Sequence, residues 1–315
     1  MRATLFRQTV LALLSIWLLS MIVFAGSRVL PGDAALAILG QSAGTDTLAA
    51  MRHTLGIDVP APIQYLRWLS GILRGDPGTS LSTGMPISPV LWPRLANTLL
   101  LASSAALITL PVSIGLGVAM AVFEGSYFDR ACNFVVLILL SLPAFLIAYS
   151  LVIWLSVDAG LFPSISVITP GMSTFDRITT LALPVATLAL AVLPYVTRMT
   201  RNALLDVMRR PYIEMALLKG VSVRRVVLVH ALPNAIGAII QTVALNVAYM
   251  IAGVVVIEQI FVYPGLGQYL VDAVGKRDIP VIQATTMIFG VSYVILNRVA
   301  DHLSHATNPR LKRRG

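Results

Sequence analysis

His302 and His305 stand three residues apart beside Asp301, a spacing compatible with metal ligation. No cysteine and no second carboxylate accompanies them, and histidines near a helix end equally suit its dipole. Ser292, in Gly290-Val291-Ser292, offers with the same histidines the residue types of an intramembrane serine protease, but His305 lies beyond the charged end of that run. A phosphate-cradling loop needs G-x-x-x-x-G-K-[ST], and the one Gly-Lys pair, Gly275-Lys276, continues with Arg277. If ATP drives this protein, another chain binds it. Cys132 is the single cysteine, so no intrachain disulfide forms and a small packing role is expected.

A further segment suggests mechanics instead of bond chemistry. Arg209 to Gly220 begins with Pro211, a good first helical residue, and ends with Gly220, the preferred terminator. The spacing predicts a helix of two to three turns with Ile213, Ala216, Leu217 and Gly220 on one face. Small residues on that face let another protein approach closely. An amphipathic helix lying on lipid headgroups fits the same pattern.

The elements that must carry this segment are apolar. Six runs lack Asp, Glu, Lys and Arg: 8–27, 95–123, 131–157, 178–197, 226–257 and 279–297. Roughly 20 apolar residues cross a bilayer as a helix, and each run is about that long or longer. Composition agrees, with 57% hydrophobic and 12% charged residues and a mean hydropathy of +0.83. The reading is an all-α integral membrane protein with six transmembrane helices. No run contains an acidic residue, so the carboxylate relays of proton-coupled carriers are missing, and a secondary carrier becomes a remote alternative. Asn202, Gln241, Asn246 and Asn297 are expected to hydrogen-bond between helices.

With six spans both termini share one side. Segments on that side hold 15 Lys/Arg against 8 on the other, so the termini and the 198–225 loop are expected to be cytoplasmic. The net charge of +9 then reflects topology and not nucleic acid; the tail Arg310, Lys312, Arg313 and Arg314 is expected to meet anionic lipid headgroups. Arg2 and Arg7 before the first run also resemble a signal peptide, but an apolar stretch of about 18 residues exceeds the usual 7–15 of a signal core. A retained first helix is expected. The organisation is then a first helix over 1–30, an external loop over 31–94, five helices over 95–305 with a cytoplasmic loop over 198–233, and a basic tail over 306–315. Pro77 to Pro93 is uncharged but too rich in Pro, Gly, Ser and Thr for a lipid-exposed helix, and Pro111, Pro143 and Pro184 are positions for kinks.

Glu214, Ala216, Gly220, Leu232 and Pro233 fit the EAA pattern, E-A-A-x3-G-x9-I-x-L-P, with Met215 and His230 at positions where Ala and Ile are usual. On these residues the chain resembles permease subunits of binding-protein-dependent ABC importers. Similarity to the dipeptide, oligopeptide and nickel permeases extends through Leu30-Pro31-Gly32-Asp33, Leu55-Gly56-Ile57-Asp58, Pro62 to Leu66, Gly75-Asp76, Arg94 to Leu99, Tyr263-Pro264-Gly265-Leu266-Gly267 and Arg277-Asp278-Ile279-Pro280-Val281.

The resemblance implies a type I ABC importer permease fold with a long external loop after the first helix. It implies a homologous second permease, two ATPase subunits that bind ATP and Mg, and an external solute-binding protein. Tyr212, Ile213, Glu214, Ala216, Leu217, Gly220, Leu232 and Pro233 would couple the chain to an ATPase, and the chain itself would bind no cofactor. Di- or oligopeptides are the implied substrate, with nickel, glutathione or an opine as alternatives, and the bacterial cytoplasmic membrane as the location.

Overall fold

A computed structural model of the chain describes residues 2–29, 44–54, 59–169 and 171–307. Leu30-Pro31-Gly32-Asp33, Leu55-Gly56-Ile57-Asp58 and the basic tail from residue 308 onward lie outside the described residues. Lipid offers the backbone no hydrogen-bond partner, so a spanning chain must pair its own amides as helix or closed barrel. The helices are α1 (Arg2–Val29), α2 (Thr45–Thr54), α3 (Ala61–Leu73), α4 (Ser88–Val122), α5 (Tyr127–Ser141), α6 (Ala144–Leu151), α7 (Thr174–Met208), α8 (Pro211–Leu218), α9 (Leu232–Ile260), α10 (Leu266–Lys276) and α11 (Ile279–Thr307). Two π-helical stretches occur, Val152–Asp158 after α6 and Val226–Ala231 before α9. Among the described residues the one β pairing is an isolated bridge between Thr79 and Pro86.

Among the described residues five helices are long and apolar enough to cross a membrane, and a bent pair brings the number to six if it forms one span. That pair occupies the run 131–157, which is bent where a straight span was expected. Helix α5 and the segment Ala144–Asp158 meet at 104°. Pro143 has no N–H to continue the ladder, and a residue before proline is driven out of the helical region; Leu142 accordingly sits at φ −90°, ψ 125°. Helix α4 runs on through Pro111, and α7 through Pro184 and Pro194. Because α4 begins at Ser88, residues 88–94 are its first turns.

The chain forms two compact units, residues 1–98 with 264–294, and residues 99–263 with 295–315. In the first, the tight turn 78–87 uses Gly78 (φ 90°) and Gly84 (φ 68°), and closes through Ile87 N–H donating to Gly78 O at 3.0 Å. Its donors converge on the buried Asp278 carboxylate: Leu81 N at 3.0 Å, Ser82 N at 3.2 Å, Ser82 Oγ at 2.9 Å, and the Ser80 hydroxyl. A buried charge is tolerable only when so satisfied. Nearby, Arg94 lies 4.9 Å from the Tyr269 ring centre and donates to Gly265 O at 3.2 Å. Burial pushes the Tyr269 phenol above its ordinary pKa, and Asp278 adds to this against Arg94, so the ring stays neutral beneath the cation. Asn97 Nδ2 donates to Pro264 O at 2.9 Å, and Leu266 N to Thr98 Oγ1 at 2.7 Å. The segments around Arg94, Pro264 and Asp278 thus meet around a core of Ile87, Leu91, Leu266, Ala273 and Val281.

In the second unit α5, α6 and α9 all pack on α7. Helix α4 approaches α7 at Gly117, where an added Cβ would stand 2.6 Å from Thr197 O and 2.8 Å from Thr200 Cβ. Such small residues let helix backbones close in lipid, where no hydrophobic drive pulls helices together. Ser166 ties the 159–173 loop to both α7 and α9, its N–H donating to Phe261 O and its Oγ to Thr180 O, each at 2.7 Å. Replacing Gly117 by Val should destabilise the chain by about 1–3 kcal/mol through overpacking. Gly115→Ala on the same helix, with open space around its Cβ, should leave the melting temperature unchanged or raised. Thermal unfolding of the two variants in detergent tests this, and equal melting would refute the close approach.

Candidate functional site

Helix α8 is two turns long because both ends are written locally. Pro211 opens it after an extended Arg210 at φ −84°, ψ 144°. Gly220 closes it at φ +77°, with Gly220 N–H donating to Leu217 O at 2.9 Å and Val221 N–H to Ala216 O at 3.2 Å. This left-handed closure captures orphan carbonyls of the last turn. Glu214 is exposed in the first turn, where the helix dipole favours a carboxylate.

Of the four residues expected to receive another protein, Ile213 and Ala216 are turned inward while Leu217 and Gly220 are exposed. Ile213 is 0% exposed and packs with Leu204, Leu205, Val226, Val227 and Ala231, with Ala216 and Leu232 against the same cluster. Gly220 lies beyond the helix and shares no face with them. Ile213 and Ala216 share a face as the periodicity predicts, but their neighbours belong to this chain. A run of small and apolar residues cannot distinguish an internal neighbour from an external one. The outward residues are Tyr212 (42% exposed), Met215 (54%) and Leu218 (78%), spaced three apart. Leu217 is exposed as well, and the flanking sequence carries the exposed charges Arg209, Glu214, Lys219, Arg224 and Arg225.

Burying Ile213 contributes about 1.5–3 kcal/mol. That anchor fixes α8 to α7 on one side and to the π-helical stretch on the other. Pro233, exposed at the start of α9, lacks the N–H that a preceding turn would bond. The Asn234 side chain bonds back into the π-helical stretch, Nδ2 donating to His230 O at 2.7 Å.

Two ion pairs behind α8 are absent from the sequence reading. Arg201 Nε donates to Asp129 Oδ1 and its Nη2 to Asp129 Oδ2, both at 2.8 Å. Asp129 is 4% exposed and also accepts from Gly125 N at 3.0 Å. Arg209 Nη2 donates to Glu124 Oε1 at 2.8 Å, on the surface. Breaking the buried pair by removing one partner costs about 3–5 kcal/mol, whereas the exposed one contributes about 1 kcal/mol or less. The local signal was Ser126 accepting from Asp129 N at 3.2 Å as a helix cap. The partner lies 72 residues away, which no local pattern reveals.

Comparison with known proteins agrees with this architecture. The family described as "Binding-protein-dependent transport system inner membrane component" matches residues 113–313, and "Binding-prot-dependent transport system membrane comp, N-term" matches residues 1–99. The oligopeptide transport system permease protein AppB of Bacillus subtilis is 36% identical over 318 residues, covering 99% of this chain and 100% of that protein. The glutathione transport system permease protein GsiC of Salmonella paratyphi A is 34% identical over 295 residues, 94% of each chain. Among solved structures, an inward facing form of the MetNI methionine ABC transporter matches with a TM-score of 0.58 at 17% identity, over 70% of this chain and 96% of that one; this likeness concerns the fold. With family matches at both ends and relatives aligned along its whole length, the chain belongs to the binding-protein-dependent transport system inner membrane components, as the permease subunit of an ABC importer.

Proposed function

We propose that this permease forms half of a translocation path for di- or oligopeptides and is driven through α8 by a separate ATPase. The observation that carries the coupling is a short helix anchored by the buried Ile213, with Tyr212, Met215 and Leu218 left exposed. An apolar centre with a charged rim is how protein interfaces are commonly built. The partners are a homologous second permease, two ATPase subunits that hold ATP and Mg, and an external solute-binding protein. The bacterial cytoplasmic membrane is the location, with the 198–225 loop and both termini on the cytoplasmic side, as the Lys/Arg distribution favours. The names of AppB and GsiC favour peptide as the solute. Glutathione is itself a tripeptide, so the two relatives point to one chemical class.

Closure of the ATPases on ATP would move α8, and its internal cluster would carry that movement into α7 and α9. Swinging a two-state path from 1:99 to 99:1 needs about 5.5 kcal/mol of differential binding, within reach of two nucleotides. Leu218→Glu should weaken ATPase association by at least about 2 kcal/mol, as for loss of a central interface anchor, and should abolish uptake with unchanged melting. Ile213→Ala should instead lower stability by about 2–5 kcal/mol. Uptake at the normal rate in a stably expressed Leu218→Glu strain would refute the docking role.

Affinity purification of the tagged chain from its native membranes in mild detergent tests the assembly. A second EAA-bearing permease and ATPase chains with phosphate-binding loops are expected, and peptides should compete with uptake of a labelled tripeptide. Recovery of the chain alone, in a detergent that preserves such complexes, would favour a carrier.

A further inference from the structure

The bidentate contact between Asp129 and Arg201 joins the start of α5 to α7 within eight residues of the end of α7, and α8 begins three residues after that end. Asp129 accepts three hydrogen bonds in all, two from Arg201 and one from Gly125 N. Gly125 holds φ +78°, so the turn after α4 is bent toward the carboxylate. About two turns beyond Arg201, just past the end of α7, Arg209 holds Glu124, next to Gly125 in the chain. Gly117 on α4 meanwhile presses against Thr197 and Thr200, the turn of α7 that leads into Arg201. Helix α5 is also the first arm of the 104° bent pair. A push on α8 therefore has an apolar route into α7 and α9 through Ile213, and a polar route into α5 through Arg201 and Asp129.

We propose that Asp129 and Arg201 are positioning residues for transport, a clasp that makes the bent pair α5–α6 move with α7 when the ATPase moves α8. This rests on the docking role given to α8 above. The planar guanidinium is suited to the task because two parallel bonds fix direction as well as distance, which a lysine ammonium cannot do. Without the clasp, α8 and α7 still respond to ATP, while α5 follows only through apolar contacts that can slide.

The test uses the intact importer, purified with its ATPase and permease partners and reconstituted in vesicles with its binding protein. ATP hydrolysis, tripeptide uptake and thermal unfolding are measured for the unaltered complex, Asp129→Asn, Arg201→Lys, and the reversed pair Asp129→Arg with Arg201→Asp. The single variants should keep hydrolysis yet lose at least about fivefold in solute moved per ATP, the lower end of usual coupling between sites. The reversed pair should recover most of it. A merely structural role would instead lower hydrolysis, uptake and melting together, leaving solute per ATP unchanged, and that result overturns the proposal. Should Asp129→Asn fail to assemble, Arg201→Lys, which keeps the charge but loses the fork, decides alone: normal solute per ATP refutes the clasp. If the unaltered complex shows no ATP-driven uptake, the docking role of α8 fails and the clasp with it. Coupled wild type with coupled single variants removes the clasp only.

Discussion

The Ile213 cluster is the contact on which the second unit depends, because it ties α8 to four segments that a bilayer alone would leave independent. Leu204 and Leu205 come from α7, Val226, Val227 and Ala231 from the π-helical stretch, Ala235 and Ile239 from α9, and Ala121 from α4. In lipid the apolar flanks of helices gain little by meeting one another, since hydrocarbon solvates them as well as a neighbour does. Where water reaches a helix, apolar burial again becomes favourable, and exposed Lys219, Arg224 and Arg225 flank this cluster in the sequence.

Around α7, association depends also on shape and on polar groups. Gly117 lets α4 meet α7 with backbone against side chain, and the Asp129–Arg201 pair closes the same corner with charge. A charge pair that would contribute little on a wet surface is costly to break when buried. In the other unit the buried Asp278 carboxylate works similarly, gathering the 78–87 turn around itself. Both sites use one buried carboxylate to fix a turn containing left-handed glycines, Gly125 in one case, Gly78 and Gly84 in the other.

Much of this was legible in the chain. Charge-free runs marked five straight candidate spans and the bent pair, because lipid excludes ionised groups regardless of tertiary context. Pro211 and Gly220 marked the ends of α8, since capping is local. The direction in which α8 faces was not legible: Ile213 and Ala216 look alike whether they meet an internal cluster or a foreign groove. The third run read as one span because hydropathy is blind to direction, although Pro143 carried the signal for the 104° bend. The contacts of Asp278 with Ser80 and Ser82, and of Asp129 with Arg201, join residues 196–198 and 72 positions apart; only a fold brings them together.

The π-helical stretch between α8 and α9 follows from the same economy. A π turn accommodates one more residue per hydrogen-bonded ring than an α turn, so it shifts the phase of every residue after it. Val226, Val227 and Ala231 face the cluster while Leu228 and Val229 stay exposed, and Ala235 and Ile239 then rejoin the buried side at four-residue spacing. Pro233 cannot donate to this segment, so an uninterrupted α ladder through residues 226–233 would leave a carbonyl without its usual partner there. The Leu232-Pro233 pair is therefore a phase setting. It places α9 so that the cluster around Ile213 is completed, and it fixes which side of α9 any movement of α8 would reach.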